Sequence, residues 1–276
     1  MNRPTFLTRL LFAAAMLFAA AAAHAQVLPT QVSIAGNTAH VKIGGGLADM
    51  TLTFDDASGL TASNLGVSAQ LVNPTDPALL GRLSDGLLTT LDGRFPLMIT
   101  VEPPASGALS FRRTVRVEVH THALPYTTGS SLRLFKAPLG GKFRDITDEI
   151  APGSVRARGT TGGFSQFLVL TDLRPTRTVI DAKFDWLGAQ LATLPESERA
   201  PLAQRLATAR TAVDGGQYGQ ALAALDAFRG DVLARAGSGI PQEWRAGGGG
   251  ANTAGELLAG AATLKYSVAY LRDFGD

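Results

Sequence analysis

Two periods divide the chain. From Gln26 to about residue 173, apolar and polar residues alternate in short runs broken by glycine and proline, the period of half-buried strands. The longest run is Ser110 to His122, SFRRTVRVEVHTH. There Val115, Val117, Val119 and Thr121 share one face, and Thr114, Arg116, Glu118, His120 and His122 share the other. Other runs are QVSIA and TAHVKI, joined by Gly36-Asn37 as a tight hairpin, the alternation Ala48, Met50, Leu52 and Phe54, and the set Leu65, Val67, Ala69 and Leu71. Phe95 to Val101, LRLFKA, FRDITDEI, VRAR and FSQFLVLTD follow. About nine strands at this spacing predict an antiparallel sandwich, with Asp76 to Asp92 a loop holding at most one helical turn.

After Asp172-Leu173-Arg174-Pro175 the period becomes helical. Four stripes follow: Ile180, Phe184, Leu187, Leu191 and Leu194; Leu202, Leu206, Ala209 and Val213; Tyr218, Ala221, Leu225, Phe228 and Val232; and Leu257, Ala261, Leu264, Val268 and Leu271. Glycine or proline separates them, and Asn252 or Thr253 caps the last. The expected fold class is therefore α+β with two domains. Residues 26–173 form an antiparallel Ig-like β-sandwich, and residues 176–276 form an antiparallel four-helix bundle.

The first 25 residues change the expected address. Arg3 and Arg9 precede the apolar run Leu10 to Ala23, and Ala23-His24-Ala25 has the small residues of a cleavage site, so they read as a secretory signal peptide and the mature chain begins near Gln26. The expected location is periplasmic or secreted. The formal charge of +2 comes from 25 basic and 23 acidic residues, and loss of Arg3 and Arg9 leaves 23 of each. That balance argues against nucleic acid and against an anionic membrane surface as partners. With no cysteine in the chain, disulfides, thiolate metal sites and a lipidated cysteine are excluded.

Candidate chemistry is sparse. Glu118, His120 and His122 lie at i, i+2 and i+4 on one strand face, a spacing at which two imidazoles and a carboxylate can hold Zn²⁺ or Cu²⁺. The same alternation also predicts a solvated polar face without any metal. A three-histidine site needs the strand of His40 alongside. The acidic groups Asp145, Asp148 and Glu149, and Asp49, Asp55 and Asp56, lack the closing glutamate of a calcium loop. Self-cleavage before Ser165 lacks a neighbouring histidine, since Gly163 stands there, and the Gly-x-Ser-x-Gly elbow is missing. Trp244, in a loop beside Arg245, suggests either an exposed binding surface or a lid over the bundle.

Two stretches carry resemblances. Leu132 to Leu170, ending in Phe164-Ser165-Gln166-Phe167, resembles the closing strands of Ig-like modules in bacterial exported proteins. Leu206, Ala209, Gly216, Ala221, Leu225, Phe228, Val232, Gly237 and Ile240 are similar to the pattern of FIMAH domains, accessory helical modules of bacterial surface and secreted hydrolases. The whole resembles an uncharacterised family of proteobacterial exported proteins classed as a domain of unknown function. These resemblances imply export and two domains, and they carry no catalytic residue over. The expected function is that of an exported, non-enzymatic binding, adhesion or structural accessory protein. It would act on an envelope or extracellular protein or glycan, with no cofactor and no integral membrane span after cleavage. The alternative is a metal-dependent hydrolase using Glu118, His120 and His122.

Overall fold

The computed structural model describes residues 26–164 and 166–276. The expected signal peptide and Ser165 lie outside the described residues. In chain order the β-rich part comprises β1 (Gln26–Leu28), β2 (Thr30–Ala35), β3 (Thr38–Ile43), β4 (Ala48–Ser58), α1 (Ala62–Leu65), β5 (Val67–Leu71), α2 (Pro77–Leu80), β6 (Thr89–Thr90), β7 (Leu97–Val101) and β8 (Ser110–Thr121). It continues with β9 (Leu132–Ala137), β10 (Arg144–Asp145), β11 (Thr147–Ala151), β12 (Val155–Thr161) and β13 (Gln166–Asp172). Helices α3 (Thr176–Leu191), α4 (Glu196–Asp214) and α5 (Tyr218–Arg235), strand β14 (Glu243–Arg245) and helix α6 (Thr253–Phe274) complete the chain.

The strands make two antiparallel sheets. One runs β1-β5-β7-β13-β9-β10 with β6 beside β13, and the other runs β11-β12-β8-β4-β3-β2 with β14 beside β8. The alternation of β8 performs as its pattern demands. Val115, Val117 and Val119 are buried in an apolar core that also takes Leu97, Ile99, Leu134 and Phe167 from the other sheet. Burying such side chains stabilises by roughly 1.5–3 kcal/mol each. The fold class is thus mixed α+β.

Two details depart from the pattern. FRDITDEI is not one strand but two, because the chain crosses from one sheet to the other at Ile146, which is fully buried and donates its N–H to Leu134 O at 2.8 Å. Trp244 is neither an exposed binding surface nor a lid over the helices. It sits in β14, paired opposite Phe111 of β8, with its ring stacked on Phe111 at 5.2 Å and edge-on to Phe164 at 5.2 Å.

Four long helices share a second core, with α3 and α5 both packed on α6. Asn252 is the cap of α6, its Oδ1 accepting from Gly255 N at 3.1 Å. Helix α6 also packs on β8, β11 and β12. It therefore has two neighbours to satisfy, a helical one and a sheet one. No helix among the described residues is long and apolar enough to cross a membrane.

Candidate functional site

The polar face of β8 forms cross-strand rows with its neighbours. Glu118 lies opposite Arg158 of β12 and Thr51 of β4, and His120 lies opposite Arg156 and Asp49. Glu118 Oε1 accepts from Arg156 Nη1 at 2.7 Å and Oε2 accepts from Arg158 Nε. Partial burial opposes its charge, but the two guanidiniums hold the carboxyl below the usual carboxylate range. His120 Nδ1 is 3.7 Å from Asp49 Oδ2, and its Nε2 is buried without a hydrogen-bond partner among the described residues. His122 Nδ1 is 2.6 Å from Ser154 Oγ, and the two imidazole rings stand 4.9 Å apart. His40, on β3, is separated from β8 by β4, and its Nδ1 is 3.4 Å from Thr51 Oγ1. Among the described residues no group of three or more His, Asp or Glu side chains is placed to hold a metal ion.

The acidic residues near β11 do not form one cluster. Asp148 accepts from Thr160 Oγ1 at 2.5 Å, and burial pushes its carboxyl up. Glu149 binds Arg116 and Arg158. Asp145 faces the helices instead.

The densest chemistry lies where α3 and α6 meet β9 and β10. Lys183, in the second turn of α3, is 8% exposed and donates to Asp145 Oδ2 at 2.6 Å, Thr263 Oγ1 at 2.6 Å and Ser267 Oγ at 2.8 Å. Burial works against the charge of Asp145. Even so, the charges of Lys183 and Arg133, with hydrogen bonds from Lys183 and Thr147, keep its carboxyl below the usual range. Glu256, in the first turn of α6, takes Lys136 Nζ at 3.1 Å on Oε1 and Arg144 Nη2 at 2.5 Å on Oε2. Arg174 grips Asp172 through Nε at 2.8 Å and Nη2 at 2.6 Å, the bidentate geometry that makes such pairs strong. Arg133 has no carboxylate partner among the described residues. It donates to Ser130 O and Leu132 O at 2.6 and 2.7 Å and lies over the Tyr270 and Tyr266 rings. Pattern reasoning missed this set because LRLFKA reads as an ordinary strand, whereas every residue of β9 is buried. Leu132 and Leu134 enter the core between the sheets, and Phe135 and Ala137 pack in a further apolar cluster with Leu79, Leu83 and Phe143.

Between these groups lies a cavity of about 140 Å³, lined by Arg144, Arg174, Lys183 and Asp145 together with Val179, Ala182 and Trp186.

Residues 13–272 match the family described as a family of unknown function, DUF6689. The chain belongs to that family. No curated protein and no solved structure matches this DUF6689 chain.

Lys136 gives this site a pH signature. Burial pushes its ammonium down to about 8 from an ordinary 10.5, against the attraction of Glu256. The folded state holds this proton less tightly than the unfolded chain, so the protonated lysine destabilises the fold below about pH 8. That penalty fades as pH climbs toward 10.5. Tyr266, held up to about 12 by burial, works the other way above pH 10, where the unfolded phenol ionises first. Lys136→Met leaves Glu256 paired with Arg144, so its expected effect at pH 7 is nil or a gain of about 1–2 kcal/mol. Urea unfolding should show wild type gaining on Lys136→Met between pH 7 and 9.5, and parallel curves would refute the assignment.

Proposed function

We infer that this DUF6689 protein is an exported, non-enzymatic binding or structural accessory protein. Residues 26–173 act as an Ig-like β-sandwich and residues 176–276 as an antiparallel four-helix bundle fixed to it. The observation that carries the reading is that ion pairs run across the helix–sheet contact. Lys183–Asp145 and Lys136–Glu256–Arg144 fasten the two parts together. A fastened pair of parts presents fixed outer faces, which suits recognition of an envelope or extracellular protein or glycan. The even charge of residues 26–276 supports the same partners over nucleic acid.

Expression of the full chain followed by fractionation tests export. The expected species starts at Gln26 and is found in the periplasm or medium, and an uncleaved cytoplasmic chain overturns that half. Crosslinking in the envelope fraction tests the partner, with a retained protein or glycan as the expected result. The rival reading, a metal-assisted hydrolase, draws on the adjacent imidazoles of His120 and His122, with Glu118 as the third group. Stoichiometric zinc or copper on the purified protein, lost when both histidines become alanine, would put that reading in place of the first.

A further inference from the structure

The cations that line the cavity are paired, but their N–H groups are not all used. Arg144, Arg174 and Lys183 line it, and the acids that answer them are Glu256, Asp172 and Asp145. Asp85 also acts on Arg174, but its carboxylate accepts from Leu87 N and Leu88 N in a part-exposed turn. Lys183 is neutralised by Asp145 and has its N–H groups filled. Arg174 keeps only Nη1 outside its grip on Asp172, whereas Arg144 shares the single carboxylate of Glu256 with Lys136 and binds it through Nη2 alone. Arg144 Nε and Nη1 and Arg174 Nη1 thus have no protein acceptor among the described residues. The Arg144 guanidinium is held in place by Trp186, whose ring it covers at 4.1 Å.

A site with unused guanidinium N–H groups beside the apolar side chains of Val179, Ala182 and Trp186 has the mixed character of a small-ligand pocket. Its volume would take roughly ten water-sized groups. We propose that this cavity binds a small monocarboxylate with a short apolar body, its carboxylate on Arg144 and Arg174 and its body against Val179, Ala182 and Trp186. Guanidinium suits this role because its planar fork matches a carboxylate. The inference rests on reading the chain as a binding protein, and it stands apart from which macromolecule the outer faces recognise.

The purified chain allows a direct test, because Trp186 and Trp244 are its two tryptophans. Trp244→Phe retains an aromatic ring on Phe111 and leaves Trp186 as the reporter. Titration with benzoate and with butyrate should change its emission saturably, with a dissociation constant between roughly 10 µM and 1 mM. Arg144→Gln should weaken this at least about tenfold. Since Arg144 also holds Glu256, Ala182→Leu serves as the second variant. Ala182 is exposed, lines the cavity and forms none of its ion pairs, so leucine should fill the cavity and abolish binding at unchanged melting temperature. No saturable change, wild-type binding by folded Ala182→Leu, or equal competition by inorganic phosphate would each overturn the proposal. Envelope crosslinking would be unaffected by that failure, so the two readings fail separately.

Discussion

Replacing Lys183 with methionine should lower the unfolding free energy by about 3–5 kcal/mol, the range for breaking a buried ion pair by removing one partner. Asp145 would keep its hydrogen bond from Thr147 N at 2.8 Å, but its counter-ion at 2.6 Å would be gone. At 6% exposure that carboxylate is largely shielded from the bulk water that would replace the ammonium. Thr263 and Ser267, both buried, would each lose a donor as well. At this chain length a fall in melting temperature of roughly 10 °C follows. The double change Lys183→Met with Asp145→Asn should recover much of the loss, because it removes the stranded charge, and the cycle measures the coupling. A cost below about 1 kcal/mol for the single variant would mean that the pair is open to solvent. The contrast with Lys136 is the informative part. Both are buried lysines, yet Glu256 retains Arg144 when Lys136 is lost, and Asp145 has no comparable second cation in hydrogen-bond reach.

The same residues show what the chain made legible. Alternation located β8 and sorted its valines from Glu118, His120 and His122, because a strand with one buried face writes that face into every second residue. Helical stripes likewise located Ile180, Phe184 and Leu187 in the helical core. What stayed hidden was the second face of the elements between two neighbours. Lys183 sits beside its stripe as any solvated lysine would, and only tertiary contact with Asp145, 38 residues away, buries it. Lys136 and Glu256 are 120 residues apart, and no local period links them. Trp244 was hidden for a simpler reason. Glu243-Trp244-Arg245 is a three-residue strand, too short to show a period, and it pairs with β8 across more than a hundred residues of sequence.

The docking of α6 on the sheet depends on the absence of one methyl group. Arg113 in β8 has a positive φ of 59°, an uncommon conformation for a side-chain-bearing residue. Its carbonyl accepts from Asn252 Nδ2 at 2.6 Å, and the same amide donates to Gly162 O at 2.8 Å. Asn252 thereby caps α6 and bolts its N-terminus to the ends of β8 and β12. A Cβ on Gly255 would stand 2.0 Å from Arg113 O and 2.4 Å from Asn252 Nδ2, contacts that real structures do not tolerate. Gly255→Ala must therefore push the helix off the sheet or break the cap. Overpacking of this kind costs about 1–3 kcal/mol, and loss of an asparagine cap adds about 1 kcal/mol. The expected fall in melting temperature is roughly 5–15 °C. Gly230, exposed within α5, provides the opposite sign, since a Cβ there meets nothing within 4 Å. Gly230→Ala should stabilise by about 0.5–1 kcal/mol through helix propensity alone. If the two alanine variants shift the melting curve in the same direction, α6 does not dock through this close approach. If they diverge as expected, the glycine before Glu256 is what brings that carboxylate within reach of Lys136 and Arg144.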